Sequence, residues 1–416
     1  MAIAIAIGGC GRSSTARLDG GVASAPADAT FDATVLPTST IPCDLPAAWP
    51  FAIRSTQHPA LVHYRTPDEE AMARQVLGYL DHAWDVEVGT LGFRPPLDDG
   101  GRCGPDGAFD VFLWRGIEEC YVDVLDENPA TAYDDRLAYL VVDPWGPYGG
   151  AILDTTVAHE FNHALQAADD WSDAAIVYEM TAVFIEDLVY NDDNEYVAQI
   201  VDFQAHPEWS LDRDDGYVTW YMYGAALYLR FIRDHFFGGD GAFVGDMWHR
   251  LRSPVDDDEP DFEDALDQIL VARAGVHFTD SVATFARWRY YTGSHADAAH
   301  FREGETFAEP TRLATVPATG GHVALAPMAL GSQYIDLAPG SFTVALDQPS
   351  SLVDWVVDVV PGTNGADGDR VDLASGAAKT VAGGHTIVIT ALPHASYDPD
   401  TRTDTLHHAI LVVTPK

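Results

Sequence analysis

Positive charge is scarce in this chain, and lysine is almost missing. Of 416 residues, 23 are Lys or Arg and 64 are Asp or Glu, which gives a formal net charge of −41. Lys379 and Lys416 are the two lysines. Because nucleic acids and anionic lipids are bound through clustered basic side chains, this balance argues against nucleic-acid binding and against direct docking on a membrane. It favours a heavily solvated surface, and calcium-binding loops (a Ca²⁺ cofactor) are the alternative use of these acidic residues.

Long hydrophobic runs are also lacking. The longest apolar stretch, 218–232, contains Arg230 and several tyrosines, so no segment is predicted to span a membrane. The chain begins with a short apolar run, 1–10, that fits the end of a secretory signal sequence. Its last residues, Ile7-Gly8-Gly9-Cys10, resemble a bacterial lipobox, and an ordinary signal peptide is the alternative. We therefore expect a secreted or cell-surface protein that contacts a membrane only through a lipid on Cys10.

Cysteine is rare as well, with four residues in the whole chain. The spacing of Cys10, Cys43, Cys103 and Cys120 matches no zinc-thiolate pattern. Disulfides are expected in a secreted protein. Cys103 and Cys120 flank a predicted strand at 109–113 and are candidates for one short loop, whereas a Cys10–Cys43 pair is open only if Cys10 carries no lipid.

Composition divides the chain into four segments and predicts an α+β protein. After the leader 1–10, residues 11–50 are rich in small and polar types and predict a flexible tether. Residues 51–304 predict a mostly helical domain with a small sheet. Helical periodicity stops near residue 305, and residues 305–416 alternate short β-rich runs with Gly- and Pro-bearing turns, which predicts a β-sandwich.

Helices are predicted within 51–304 where apolar residues recur at helical spacing. The first has a strong start at Thr66-Pro67, where a capping hydroxyl precedes a proline in the first turn. The predicted helices are 66–88, 154–169, 173–190, 218–235, 262–273 and 279–290.

One motif carries chemistry. His159-Glu160-Phe161-Asn162-His163 contains His-Glu-x-x-His within the predicted helix 154–169. Residues four apart share one face of a helix, so both imidazoles can bind a single ion. The pattern supplies two zinc ligands and a general base, here Glu160.

A catalytic zinc takes three protein ligands and keeps one position open. The candidates for the third ligand are Glu179, Glu186, Asp169 and Asp170. Glu179 is favoured because the helix 173–190 can return antiparallel after the turn. Glu186 lies seven residues further on the same face and is expected to hydrogen-bond a ligand histidine; a solvated helix carboxylate is the alternative. Asp169 and Asp170 end the first helix and are expected to face solvent.

His-Glu-x-x-His on one helix and a glutamate on the next resemble the gluzincin-type zinc metallopeptidases, whose domain is zincin-like. More narrowly, 159–166 and 178–182 resemble a group of secreted bacterial metalloproteases with a His-Glu-Phe-x-His-x-x-Gln helix and a following Glu-x-x-Ala helix. The segments 221–228 and 285–288 are similar to later parts of that group, so the resemblance covers residues 60–300. One departure is Val183, which stands where the thermolysin pattern has an aspartate.

The resemblance implies a zinc-dependent endopeptidase, in which Glu160 takes a proton from the attacking water. A donor to the developing oxyanion is also expected. Tyr223 is the candidate and Tyr221 the second, because they precede a Gly-Ala step where two helices can approach closely; aromatic packing is the alternative for both. Two other functions stay open: a non-catalytic surface-binding lipoprotein with a vestigial zinc domain, and a zinc hydrolase of a non-peptide bond. The protein is expected to be a monomer whose partner is a protein or peptide substrate.

Overall fold

A computed structural model describes residues 32–35, 43, 45, 49–128, 130–255, 259–363, 366–373, 376–394 and 405–416. Cys10, the leader and most of the predicted tether lie outside the described residues, so lipidation and the tether stay predictions. Within 11–50, the segment 32–35 forms a strand and Cys43 is covalently linked to Cys103.

The protein is α+β, as predicted. Its helices are α1 (Glu70–Glu87), α2 (Leu153–Asp169), α3 (Ala175–Val189), α4 (Tyr196–Ala205), α5 (Tyr221–Gly224), α6 (Ala226–Phe231), α7 (Phe243–Leu251), α8 (Phe262–Ala274) and α9 (Phe278–Tyr290). Its strands are β1 (Asp32–Val35), β2 (Phe51–Arg54), β3 (Ala60–Tyr64), β4 (Phe109–Leu113), β5 (Cys120–Glu127), β6 (Arg136–Val142), β7 (Arg312–Val316), β8 (Gly321–Leu325), β9 (Ser332–Leu337), β10 (Ser341–Asp347), β11 (Val353–Val360), β12 (Asp369–Arg370), β13 (Lys379–Ala382), β14 (Thr386–Pro393) and β15 (Ala409–Pro415).

The chain divides into two compact units. The first comprises 1–174, 178–195 and 241–265, and the second comprises 175–177, 196–240 and 266–416. The strands after residue 305 therefore share a unit with helices of the preceding segment. The division by compactness does not coincide with the boundary expected at 305, and the β-sandwich domain expected at 305–416 stays a prediction.

The first unit is built on a six-stranded mixed sheet in the order β1-β2-β3-β4-β6-β5. The central pairs β3–β4 and β4–β6 are parallel, and β5 runs antiparallel to β6 at one edge. The helix α1 follows a 3₁₀ turn at Pro67–Glu69, where the Glu69 carboxylate accepts the backbone N–H of Thr66 at 3.2 Å. Helical structure therefore starts at Pro67, as predicted, but as a 3₁₀ turn, and the α-helix itself begins at Glu70.

The second unit contains two sheets with one shared apolar cluster. The sheets have the orders β13-β10-β15-β8 and β12-β11-β14-β9-β7. Phe342 and Leu411 from the first sheet meet Ile335 and Ile389 from the second in this cluster, and all four are almost fully buried. The Tyr334 hydroxyl of β9 donates to the Ala286 carbonyl of α9, so the strands also pack on a helix of the same unit.

The helix predicted at 218–235 is broken into pieces. The backbone N–H of Trp220 donates a hydrogen bond to the Asp202 carboxylate, and α5 begins only at Tyr221. At Gly224 an added Cβ would lie 2.6 Å from the Gln199 carbonyl, so α4 and α5 approach closely there, as the Gly-Ala step predicted. After α6 the chain makes a π-helical turn at Ile232–Phe236.

The disulfide joins Cys43 to Cys103, and the predicted Cys103–Cys120 pairing is wrong. Cys120 begins β5, and β6 lies between β5 and β4 in the sheet. Cys120 pairs with Val142, which pairs with the last residue of β4, whereas Cys103 precedes the first residue of β4. The Cys120 thiol is free and 2% exposed.

In the described part of the chain, none of the helices combines the length and apolar character that a membrane span requires.

Candidate metal centre

The helix α2 that carries the His-Glu-x-x-His motif is buried along its entire length. It packs on α1, on the edge strand β5 and on its neighbour β6. The ring centroid of Phe161 lies 5.1 Å from that of Trp84 and 5.6 Å from that of Phe109, on an apolar face of the helix. The polar face is enclosed as well, which means that every polar group on it needs a partner inside the protein.

Three side chains converge at the middle of α2. His159, His163 and Glu179 each direct one ligand atom into a common space, and these atoms lie within 4.8 Å of one another. The Nε2 atoms of the two histidines are 3.1 Å apart. The Oε2 atom of Glu179 lies 3.3 Å from Nε2 of His159 and 3.7 Å from Nε2 of His163. The structure thus brings together the two motif histidines and the glutamate favoured as third ligand.

Hydrogen bonds at the far nitrogens define the tautomer of both rings. Nδ1 of His159 donates to Glu186 at 2.6 Å, as predicted for Glu186. Nδ1 of His163 donates to Gln166 at 2.7 Å. With a proton on each Nδ1, the neutral rings carry bare lone pairs on Nε2. Two lone pairs and a carboxylate oxygen then face one another, an arrangement that repels unless a cation lies between them.

The donor set therefore fits a metal ion. Around a four-coordinate ion with bonds of about 2.0–2.1 Å, neighbouring ligand atoms are about 3.3–3.4 Å apart. The observed separations of 3.1, 3.3 and 3.7 Å bracket that value. The cluster His159–His163–Glu179 can hold a metal ion. Among the described residues, it is the one group of three His, Cys, Asp or Glu side chains whose ligand atoms come this close together.

The negative charges around the cluster also favour a positive charge within it. Burial disfavours a charged His159, yet Glu179 and Glu186 outweigh burial and raise its pKa well above the ordinary value. Burial lowers the pKa of His163 to about 4, so this ring is neutral at pH 7. The buried glutamates thus need one cation in the cluster, which a proton on His159 or a metal ion can supply.

Glu160 lies beside the cluster but is not one of the three converging groups. It is 3% exposed, and its carboxylate accepts a backbone hydrogen bond from Val122 of β5. Burial, together with Glu179 and Glu186, raises the pKa of Glu160 to about 8, against the opposing effect of His159. A carboxyl group with a raised pKa next to a cation site has the character of a general acid or base.

Asp169 and Asp170 do not face solvent, and that expectation is wrong. Both are fully buried. Asp169 pairs with Arg94 at 2.9 Å and with His249 at 2.8 Å, whereas Asp170 accepts the N–H and hydroxyl of Ser253. Both carboxylates are held by ion pairs or hydrogen bonds to other residues, so neither competes with Glu179 as a metal ligand.

The two tyrosine candidates lie in the second unit, on α5. The Tyr221 hydroxyl donates to the Ser210 carbonyl at 2.8 Å, so its proton is already used within the protein, and its role as the second oxyanion candidate stays a prediction. Tyr223 is 2% exposed, and its ring stands edge-on to Trp220 at 5.0 Å. The role of Tyr223 as an oxyanion donor stays a prediction.

Sequence reasoning missed the residues behind His163. Gln166, Asn162 and Glu87 are fully buried and hydrogen-bonded in series. Gln166 lies three residues after His163 and so on the same helix face, a signal that could have identified it. Glu87 lies 75 residues before Asn162 in sequence, and no local pattern connects the two.

A scan against models of known protein families finds no match, and a search of curated proteins finds none either.

Proposed function

We propose that this protein is a secreted or surface-anchored zinc-dependent endopeptidase with Glu160 as general base. The observation that carries the proposal is the convergence of two Nε2 atoms and one carboxylate oxygen at tetrahedral spacing, with a buried glutamate beside them. In this proposal the first unit has a zincin-like architecture related to the gluzincins, and the two strand-rich layers of the second unit form a β-sandwich.

Zinc is the metal that this donor set suits. Two neutral imidazoles and one carboxylate are the ligands of many catalytic zinc sites, and three protein ligands leave one position open. Zn²⁺ would supply Lewis acidity, which polarises a carbonyl and acidifies a water molecule. His159, His163 and Glu179 would hold the ion, while Glu186 and Gln166 keep the two rings in the required tautomer.

Glu160 moves the proton in this proposal. Its carboxylate takes a proton from the attacking water and returns it to the leaving amine, so that the base is regenerated within one turnover. The Val122 backbone N–H holds one side of the carboxylate in place. A bound cation lowers the pKa of a neighbouring carboxylic acid, which favours the ionised form needed at the start of the reaction. Tyr223 is retained as a proposed donor to the oxyanion.

The strand next to Glu160 supports a peptide substrate over other hydrolysable bonds. Among the described strands, β5 pairs only with β6, which leaves its other edge open. An open edge offers main-chain N–H and C=O groups to an extended peptide, which binds as an added strand. Since Val122 of β5 contacts Glu160, a peptide on that edge would pass close to the base.

The Cys43–Cys103 disulfide supports the proposal that the protein is secreted or surface-anchored, because disulfides persist in oxidising surroundings outside the cytosol. Attachment to a surface through Cys10 belongs to the proposal as well. The strand-rich part of the second unit would bind substrate or surface.

The proposal is tested by casein hydrolysis with the wild type, before and after a chelator and after zinc is restored. Glu160→Gln keeps the shape and removes the base, so hydrolysis should fall by about 10²- to 10⁴-fold while zinc content is unchanged. Glu305→Gln, an exposed glutamate in the second unit, is the matched control and should behave as wild type. Equal activity in Glu160→Gln would place the chemistry elsewhere. Lack of hydrolysis across a broad panel of proteins and peptides would favour the surface-binding or non-peptide alternatives.

A further inference from the structure

A chain of buried amide side chains leads away from His163 and ends on a carboxyl group. Nδ1 of His163 donates to Oε1 of Gln166 at 2.7 Å, and Nε2 of Gln166 donates to Oδ1 of Asn162 at 2.7 Å. Nδ2 of Asn162 then donates to Oε2 of Glu87 at 2.8 Å. Glu87 is the last residue of α1, whereas the other three residues belong to α2.

The direction of this chain is fixed by one backbone group. Nε2 of Gln166 also donates to the Tyr178 carbonyl at 3.1 Å, and a carbonyl can only accept. A flipped Gln166 amide would set its oxygen against the Tyr178 carbonyl oxygen, and two acceptors cannot share a hydrogen bond. The amide oxygen must therefore face His163, which requires the proton on Nδ1 and leaves Nε2 bare for a metal ion.

The orientation of the Gln166 amide also determines the orientation of the Asn162 amide, which then needs an acceptor such as Glu87. Its oxygen is used by Gln166, so its amide nitrogen has to find an acceptor at the other end. Glu87 supplies that acceptor in a fully buried position. The second oxygen of Glu87, Oε1, has no hydrogen-bond partner among the described residues, so the bond from Asn162 is the side-chain hydrogen bond that this carboxyl group accepts there.

We propose that Glu87 is a positioning residue for the metal centre, acting through Asn162 and Gln166 to hold His163 in the tautomer and orientation that bind the ion. The inference rests on the proposed role of His163 as a metal ligand. A carboxyl group at the end of α1 would thus tie the geometry of the site to the packing of a second helix. Buried chains of this kind are satisfied only as a whole, so removal of the last acceptor leaves the Asn162 amide without a partner and frees the groups behind it to reorient.

The test measures zinc affinity by competition with a chromophoric chelator, together with the absorption spectrum of the Co²⁺-loaded protein. Glu87→Met keeps the bulk and removes the acceptor, and it should weaken zinc binding by about tenfold, the lower end of the effect of outer hydrogen-bond partners of metal ligands. It should also alter the Co²⁺ bands. Glu87→Gln restores an acceptor and should return affinity to near the wild-type value.

A control and a double variant separate positioning from stability. Val76→Ala removes a fully buried side chain of the same helix without touching the chain of amides, so it should lower stability and leave zinc affinity unchanged. If Glu87 acts through Gln166, the double variant Glu87→Met/Gln166→Met should bind zinc as Gln166→Met does alone. Should Glu87→Met fail to fold, Asn162→Leu interrupts the same chain at its middle and has the same expected effect.

Wild-type zinc affinity and an unchanged Co²⁺ spectrum in Glu87→Met would overturn the inference, as would additive effects in the double variant. Absence of zinc binding by the wild-type protein would instead overturn the proposed function, so the two failures are distinguishable.

Discussion

The carboxylate of Asp169, at the end of the helix that carries both motif histidines, gives a sharp test of how this helix is held. Asp169 is fully buried and pairs with Arg94 and His249 at 2.9 and 2.8 Å. Removing one partner of a fully buried ion pair costs about 3–5 kcal/mol. Because the Arg94 and His249 side chains are 30% and 40% exposed, water screens the pair, and we expect Asp169→Asn to cost about 2 kcal/mol in the free energy of unfolding.

The cost should depend on pH with a defined sign. The hydrogen bond to Asp169 raises the pKa of His249 above its ordinary value of 6.5, although burial opposes it. A histidine whose pKa is raised by folding contributes stability that is complete below its unfolded pKa and is lost as pH rises through the folded pKa. The difference between wild type and Asp169→Asn should therefore be larger at pH 6 than at pH 9.

Urea denaturation followed by tryptophan fluorescence at the two pH values measures this difference. Asp246→Asn is the control, because Asp246 pairs with Arg250 on the exposed side of α7 and should cost less than about 0.5 kcal/mol. The reasoning is refuted if the unfolding free energy of Asp169→Asn lies within about 0.5 kcal/mol of wild type, or if its cost is the same at pH 6 and pH 9.

Three further outcomes are expected. Glu179→Ala should leave a two-histidine site that loses zinc to a weak chelator, as measured by dialysis and elemental analysis; full retention would shift the third ligand to another group. The first unit has 41 acidic residues, 11 arginines and no lysine, a formal charge of −30. Under the proposed peptidase function, Lys-flanked peptides should therefore be cleaved with a kcat/KM about tenfold above that of Glu-flanked ones at low salt, and added salt should reduce the ratio; a ratio insensitive to salt would count against steering by charge. Cys120, whose pKa burial raises, should resist alkylation in the native protein and react in urea, as mass mapping of its peptide would reveal; rapid native labelling would contradict its burial.

The sequence predicted the parts of the site that depend on local spacing. His159 and His163 share a face because a helix repeats every 3.6 residues, and the first turn after α2 is short enough to return Glu179 to them. The same reasoning placed Glu186 behind His159. These relations hold within one helix or one helical hairpin, where distance along the chain determines distance in space.

Contacts between residues that are far apart in the sequence could not be predicted in this way. Glu87 reaches Asn162 only because α1 packs on α2, and Cys43 reaches Cys103 across 60 residues. Asp169 was predicted to be exposed because it ends a helix. Its burial is possible because Arg94 and His249, which lie far away in the sequence, pair with its carboxylate. Strands β2 and β3 were missed because they have only four and five residues, and β3 is buried throughout, so neither shows a clear alternation of polar and apolar residues.

The claim that a metal ion binds at His159, His163 and Glu179 is tested most directly by elemental analysis of the purified protein. The wild type should contain one zinc ion per chain, and His163→Ala should contain almost none after the same purification. Full zinc content in His163→Ala, or a wild type that takes up no zinc at micromolar concentration, would contradict the account.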